Sequence, residues 1–118
     1  MGMDRERRTE PLPLRPVEFH ILLSLAAGER HGYGIIQDAE SRGEMLDVGT
    51  LYRALARMRE QGFIGAASRK PASDTGDERR NYYRISPRGL EVARAEARRL
   101  AALAHEARLC GLLKGVAT

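Results

Sequence analysis

The segment between Asp47 and Gly62 constrains the fold of this 118-residue chain more than any other. It reads DVGTLYRALARMREQG, bounded by an aspartate suited to cap a helix and a glycine suited to end one. With about 100° between successive helical residues, one face carries Val48, Leu51, Ala54, Leu55 and Met58. This apolar stripe predicts an amphipathic helix that buries the stripe against neighbouring helices.

The opposite face of this predicted helix is made of small and cationic residues. It carries Gly49, Thr50, Arg53, Ala56, Arg57 and Glu60, while Tyr52 and Arg59 lie on one flank of the stripe. Small residues let a helix backbone approach a partner closely, and arginines can reach past them to phosphates or base edges. Taken alone, the face fits an ordinary solvated surface better, so its interpretation depends on the neighbouring segments.

A first helix is predicted near the start of the chain. Residues 1–15 contain prolines and many charges and indicate a flexible arm. Pro16 suits the first turn of a helix, and VEFHILLSLAA then runs to Gly28, a suitable C-terminal cap. Because this helix is apolar nearly all round, we expect it to be buried.

A second helix is predicted over residues 31–43, HGYGIIQDAESRG, with Ile35, Ile36 and Ala39 directed inward. The short linker 44–46 separates it from the helix that Asp47 caps. Two helices joined by a tight linker are typical of a helix-turn-helix, although such loops also occur in other helical proteins.

Two predicted strands follow the third helix. Residues 63–70 and 79–86 have strand-like composition and are separated by the turn-rich loop 71–78. Three helices followed by a hairpin is the order of a winged helix. We therefore predict an α+β fold, mainly α with a small β-hairpin, in which residues 16–86 form a winged helix-turn-helix domain. The basic residues that flank the loop, where a wing would touch a DNA backbone, are Arg69, Lys70, Arg79 and Arg80.

The charge distribution agrees with a polyanion partner. Residues 17–47 hold six acidic and two basic side chains, whereas residues 48–70 hold five basic and one acidic. A localised basic block is typical of nucleic-acid-binding surfaces, although chance fluctuation alone can produce one of this size.

Several function classes are disfavoured. The single cysteine, Cys110, excludes an intramolecular disulfide and a multi-cysteine metal cluster, and His20, His31 and His105 lack paired metal-ligand spacing. No Ser-His-Asp or paired-carboxylate arrangement stands out, so we expect no enzyme activity, cofactor or metal. Apolar runs fall far short of the ~20 residues of a membrane span, and the first 16 residues lack the apolar core of a secretory signal. We expect a cytoplasmic protein.

Three segments together resemble the PadR-like family of transcriptional regulators: HGYGIIQDAESRG, GTLYRALARMREQGFI and YYRISPRGLE. The resemblance covers about residues 17–92, and GTLY is its most specific part. The resemblance implies a homodimeric repressor that binds double-stranded DNA with its third helix in the major groove. A small molecule often releases such a repressor from the DNA. The predicted DNA-binding residues are Gly49, Thr50, Tyr52, Arg53, Arg57, Arg69, Lys70, Arg79 and Arg80.

One departure concerns the predicted wing tip, which carries Asp74, Asp77 and Glu78. These carboxylates would repel phosphates, so either the tip points away from DNA or the wing contacts are confined to its basic stems.

The last predicted helix carries a seam suited to pairing. Ser86 can cap it, Pro87 can begin it, and it is expected to reach about Leu113, leaving residues 114–118 as a tail. Its 3-4 spaced seam is Leu90, Ala93, Ala97, Leu100, Ala104, Ala107 and Gly111. Mostly small residues let two helices pack closely, either on a partner or on the first helix of the same chain.

The resemblance favours both arrangements together, so we predict that residues 87–113 form a dimerisation helix. The predicted dimer interface comprises Phe19, Leu23, Leu90, Ala93, Ala97, Leu100, Ala104 and Ala107.

Two alternatives stay open. One is a winged-helix protein-interaction module whose arginine face docks an acidic partner, and the other is a regulator of another winged-helix family, such as a MarR-like one. A steep loss of duplex binding with salt would favour a DNA-binding regulator over the interaction module. Phe19 and Tyr33 are the only obvious aromatic candidates for an effector pocket, and the sequence names neither effector nor operator.

Overall fold

The structure is a computed structural model that describes residues 12–67 and 81–114. The elements of these two ranges are α1 (Pro16–Ala27), β1 (Arg30–His31), α2 (Gly32–Ser41), α3 (Val48–Glu60), β2 (Ile64–Ala66), β3 (Tyr82–Ile85) and α4 (Pro87–Leu109). The strands form one antiparallel sheet in the order β1-β3-β2. The predicted α+β fold with a long C-terminal helix is confirmed.

Capping residues set the ends of α3 and α4 as predicted. The Asp47 carboxylate accepts a hydrogen bond from the Thr50 N–H at 3.0 Å, and the Ser86 hydroxyl accepts one from the Gly89 N–H at 2.9 Å. Both bonds satisfy backbone donors that a helix leaves unpaired in its first turn. Gly62 follows α3 with φ at +81°, a left-handed conformation that favours glycine.

The core lies where α1, α2 and α3 meet the sheet. In α3 the stripe is buried from Leu51 to Met58, as predicted. The prediction is wrong for Val48, which is 58% exposed. Val48 begins α3, and the covered positions of the stripe start one turn later.

The N-terminal region differs from the prediction in two ways. Leu14 is buried in the core and Leu12 packs against it, so the predicted arm is anchored over its last residues. Helix α1 is not buried all round, because Leu23 is 39% exposed. Its buried side faces the core through Ile21, Leu22 and Leu25.

The sheet contains a strand that the sequence did not predict. β1 pairs with β3, with Arg30 opposite Tyr83. β2 pairs with the other edge of β3, with Ile64 opposite Ile85. The two predicted strands are confirmed over shorter spans, since Ala66 is the last residue of β2 and Tyr82 the first of β3.

Helix α4 is shorter than predicted. It ends at Leu109, and turns occupy residues 110–114, with Gly111 at φ +86°. Its buried residues are Gly89, Val92 and Glu96, all in its first half, and this half packs on α1. No helix within the described ranges is long and apolar enough to cross a membrane.

Candidate nucleic-acid interface

The first turns of α3 present a polar chain of three side chains. The Thr50 hydroxyl donates to Asp47 Oδ2 at 3.2 Å and accepts from Arg53 Nη2 at 3.3 Å. Arg53 is exposed, and Gly49 and Thr50 beside it are half-buried. Because Gly49 and Thr50 are small, a partner can approach the backbone of α3 closely at this point. Arg53 extends from the helix beside them.

Asp47 stays negatively charged next to this surface. Hydrogen bonds from the Thr50 backbone and hydroxyl, with the charge of Arg53, hold the pKa of Asp47 below its usual value. An ionised carboxylate at the helix N-terminus is favoured by the helix dipole. It would also repel a phosphate brought close to this end of α3.

Arg57 lies in a different setting from Arg53. Its guanidinium is half-buried and contacts Glu18 of α1, with Nε and Nη2 both 3.3 Å from Oε2. Glu18 is itself buried and accepts a hydrogen bond from the Arg15 N–H at 2.9 Å. The two arginines that the sequence places together on one exposed face are therefore distinct, one exposed and one tied to α1.

Tyr52 brings two of the segments that resemble the family into contact. Its hydroxyl lies over Gly32, the first residue of α2, so closely that a Cβ at Gly32 would lie 2.2 Å from the hydroxyl oxygen. Tyr52 nevertheless keeps 44% of its surface exposed. The glycine of HGY therefore lets the tyrosine of GTLY lie directly against the start of α2, and a larger residue there would displace the ring.

His31 organises the start of α2. Its Nδ1 accepts a hydrogen bond from the Gly34 N–H at 3.1 Å. Its ring stacks on Tyr33 at 6.4 Å and meets Tyr82 edge-on at 5.1 Å. The histidine thus links α2 to the sheet.

Arg42, just beyond α2, fixes α2 to α1. Its Nη2 donates to the buried Ser24 hydroxyl at 2.9 Å, and its Nη1 lies 2.9 Å from His20 Nδ1. These contacts give His20 a partner within the chain. Arg42 therefore joins the end of α2 to α1.

A clasp joins the end of α3 to the start of α4. The Ser86 hydroxyl donates to the Gly62 carbonyl at 2.6 Å while it caps α4. A Cβ at Gly89 would lie 2.0 Å from the Phe63 carbonyl oxygen, so only glycine fits this approach. Arg88 covers the Phe63 ring, with its guanidinium carbon 5.3 Å from the ring centroid.

The other predicted interface residues lie in two places. The wing residues Arg69, Lys70, Arg79 and Arg80, and the acidic tip Asp74, Asp77 and Glu78, fall outside the described residues. The residues predicted for a dimer line one side of α1 and α4. Phe19, Leu90, Ala93, Ala104 and Ala107 are half-buried, whereas Leu23, Ala97 and Leu100 are exposed.

Two cavities flank Phe19 between α1 and α4. One, of about 170 Å³, is open to the surface, has an apolar lining and is bounded by Phe19, Leu22, Leu23, Ala26, Leu90, Ala93, Arg94 and Ala97. The other, of about 260 Å³, is lined by Leu14, Pro16, Phe19, His20, Glu96, Arg99 and Leu100. Tyr33, the second aromatic predicted to line a pocket, lines neither of these cavities.

Glu96 is a buried charge that sequence reasoning missed. Both of its oxygens accept hydrogen bonds from Arg99 at 2.8 Å. These bonds, with one from the Leu14 backbone, hold the pKa of Glu96 below its usual value of 4.5 against the effect of burial. Glu18 was missed as well, although a lone acidic residue in a helix otherwise apolar all round is a signal for a buried partner.

The described residues contain no group of three or more His, Cys, Asp or Glu side chains that could hold a metal ion. Cys110 is exposed just beyond the end of α4.

Comparison with known sequences gives a family match over most of the fold. The sequence model of the family described as "Transcriptional regulator PadR-like family" matches residues 21–95. The Transcriptional regulator Rv3488 of Mycobacterium tuberculosis is 31% identical over 90 residues, which are 76% of this chain and 80% of that protein. The family match includes α2, α3, all three strands and the first nine residues of α4.

Solved structures share the same arrangement of helices and strands. A PadR family transcription regulator from Clostridium difficile superposes with a TM-score of 0.68 at 22% identity, covering 79% of this chain and 95% of that one. A PadR-like transcriptional regulator from Bacillus cereus gives a TM-score of 0.69 at 23% identity, covering 84% and 92%. These likenesses confirm the predicted winged helix-turn-helix fold with its long C-terminal helix.

Proposed function

The chain belongs to the PadR-like family of transcriptional regulators, and from this premise we propose that it is a homodimeric repressor that binds a specific double-stranded DNA operator. The observation that carries the proposal is Arg53, an exposed arginine on a face of small residues in the second helix of a helix-turn-helix. Such a helix enters the major groove, and arginine is the commonest reader of guanine there.

The proposed DNA surface extends beyond Arg53. Gly49 and Thr50 would let the α3 backbone approach the groove, and the exposed edge of Tyr52 would contact sugar or base beside it. The wing residues Arg69, Lys70, Arg79 and Arg80 would add phosphate contacts from their sequence positions on either side of the loop. Arg57, which is paired with Glu18, would contribute differently from Arg53.

The proposed dimer forms through α1 and α4. A second copy would cover Leu23, Ala97 and Leu100, which are exposed in the single chain. Small residues along the rest of the seam would permit close helix packing. A two-fold dimer would present two α3 helices, so the operator is expected to be an inverted repeat with half-sites about 10 base pairs apart or a multiple of that.

A small-molecule effector would release the proposed repressor from DNA. The two cavities beside Phe19 measure about 260 and 170 Å³, and ligand pockets are ordinarily ~300–1,000 Å³. A complete effector site would therefore need walls from a second protomer. Both cavities adjoin residues proposed for the dimer interface, which would couple effector binding to the geometry of the dimer.

Selection of genomic fragments bound by the purified protein, followed by titration of the selected duplex, tests this function. Arg53→Ala is expected to weaken operator binding by ~1–3 kcal/mol if Arg53 contacts a base, or to lower the salt slope by about one unit if it contacts a phosphate. The matched control Arg98→Ala removes an exposed arginine from α4 and should leave binding unchanged. Equal operator binding by parent and Arg53→Ala would remove α3 from the proposed contact surface.

A further inference from the structure

Glu18 and Arg57 form an ion pair that ties α3 to the first turn of α1. Both oxygens of the Glu18 carboxylate have a partner. Oε2 lies 3.3 Å from the Arg57 guanidinium, and Oε1 accepts a hydrogen bond from the Arg15 N–H at 2.9 Å. The Glu18 side chain is only 8% exposed, whereas the Arg57 side chain is 35% exposed. The guanidinium therefore lies at the surface with its Nε and Nη2 edge turned inward.

The pair changes what Arg57 can contribute to DNA binding. A protein gains sequence-independent affinity for each phosphate that its cations neutralise, because counterions are then released from the DNA. A guanidinium that already faces a buried carboxylate brings no net charge to a phosphate. Arg53, one turn earlier, donates to the neutral Thr50 hydroxyl, and although its charge acts on Asp47 beyond that hydroxyl, it forms no direct ion pair with a carboxylate of the described residues.

We propose that Glu18 is a specificity-determining residue of the DNA-binding surface, acting through Arg57. By holding and neutralising that arginine, it lowers affinity for duplexes of any sequence and leaves discrimination to the contacts around Arg53. Glu18 touches no DNA in this scheme and is a positioning residue. The inference rests on the proposed function, namely duplex binding through α3.

Three proteins test the proposal: the parent, Glu18→Gln, and Glu18→Gln combined with Arg57→Gln. Glutamine keeps an oxygen for the Arg15 N–H while it removes the charge that holds Arg57. Each protein is titrated with a short random-sequence duplex between 50 and 200 mM salt. Glu106→Gln, an equal charge change at an exposed position near the far end of α4, is the matched control.

The expected result is a steeper salt dependence for Glu18→Gln alone. If Arg57, freed from Glu18, neutralises one further phosphate, the slope of log affinity against log salt becomes steeper by about 0.9. This variant should therefore lose about 3.5-fold more affinity than the parent across that salt range. The double variant, which restores a neutral pair, should return to the parent slope, and Glu106→Gln should match the parent. The ratio of operator to random-duplex affinity should fall for Glu18→Gln only.

Two results would overturn the proposal. One is a parent-like slope in a folded Glu18→Gln. The other is a double variant whose slope lies about one unit below the parent, because Arg57 would then already contact a phosphate. This second measurement requires only that the double variant folds, which its circular dichroism spectrum checks. A parent protein without salt-dependent duplex binding would instead contradict the proposed function itself.

Discussion

Helices α3 and α4 are both amphipathic, but only α3 has its apolar face covered by its own chain. From Leu51 to Met58 every stripe residue of α3 is buried. In α4 burial stops at Glu96, and beyond it Leu100 is 38% exposed and Leu103 55%. Exposed apolar side chains along one element are typical of an interaction surface. The apolar face of α3 is therefore covered within one chain, whereas the second half of α4 still has uncovered apolar side chains.

The largest expected effect comes from the uncovered helix. Ala97→Glu with Leu100→Glu should bring like charges together in the proposed dimer, dissociate it, and lower operator affinity by ~10²–10⁴-fold through lost avidity. Analytical ultracentrifugation beside an operator-binding assay measures both. Arg98→Ala with Ala102→Glu changes the charge by the same amount at exposed positions away from the seam and should remain dimeric. A double-glutamate variant that stays dimeric would show that α4 is not completed by this seam.

An intermediate effect is expected from the covered helix. Leu55→Ala removes a fully buried side chain from α3 and should lower the free energy of unfolding by ~2–5 kcal/mol. The same truncation at exposed Leu109 should change it by less than ~0.5 kcal/mol. Urea unfolding at fixed protein concentration compares the two. Equal losses would mean that the end of α4 is as well covered as the stripe of α3.

The smallest effect is expected at Glu96, the last covered position of α4. Because its pKa is lowered in the folded protein, its stabilising contribution is present above the usual value of 4.5 and is lost as pH falls through the lower folded pKa. Arg99 is partly exposed, so solvent screening should limit the contribution to about 1 kcal/mol or less. Glu96→Gln should therefore show a shallower loss of stability than the parent below pH 4.5.

The free energy of unfolding of the parent and of Glu96→Gln, measured from neutral to acidic pH, tests this prediction. Asp47 also has a lowered pKa, but it is unchanged in both proteins and does not affect the difference. Parallel curves for parent and Glu96→Gln would show that the Arg99 pair does not stabilise this part of α4.

Local signals in the sequence predicted the helices well. Asp47 and Ser86 cap their helices as predicted, because capping depends on residues within one turn. The spacing of apolar residues likewise placed the buried face of α3 correctly, except at Val48 in its first turn. Whether Arg53 and its neighbours contact DNA stays a prediction.

Pairings between distant residues could not be predicted in this way. The bond from Arg57 to Glu18 spans 39 positions, and nothing in the spacing of α3 distinguishes Arg57 from Arg53. Strand β1 has only two residues, too few for an alternating pattern, and it forms because β3 offers a free edge. The position of Leu14 also depends on a contact outside its own segment, since its backbone is hydrogen-bonded to Glu96 of the last helix.

The bonds of Ser86 couple the end of α3 to the start of α4. The Ser86 hydroxyl is hydrogen-bonded both to the Gly62 carbonyl and to the first turn of α4. Gly89 lies in close contact with the Phe63 backbone. The end of α3 therefore cannot shift without carrying the start of α4 with it. With 23 residues, α4 forms an arm about 34 Å long. We therefore expect a force that tilts this arm to be transmitted to the end of α3 through the Ser86 bonds and the contact between Gly89 and Phe63.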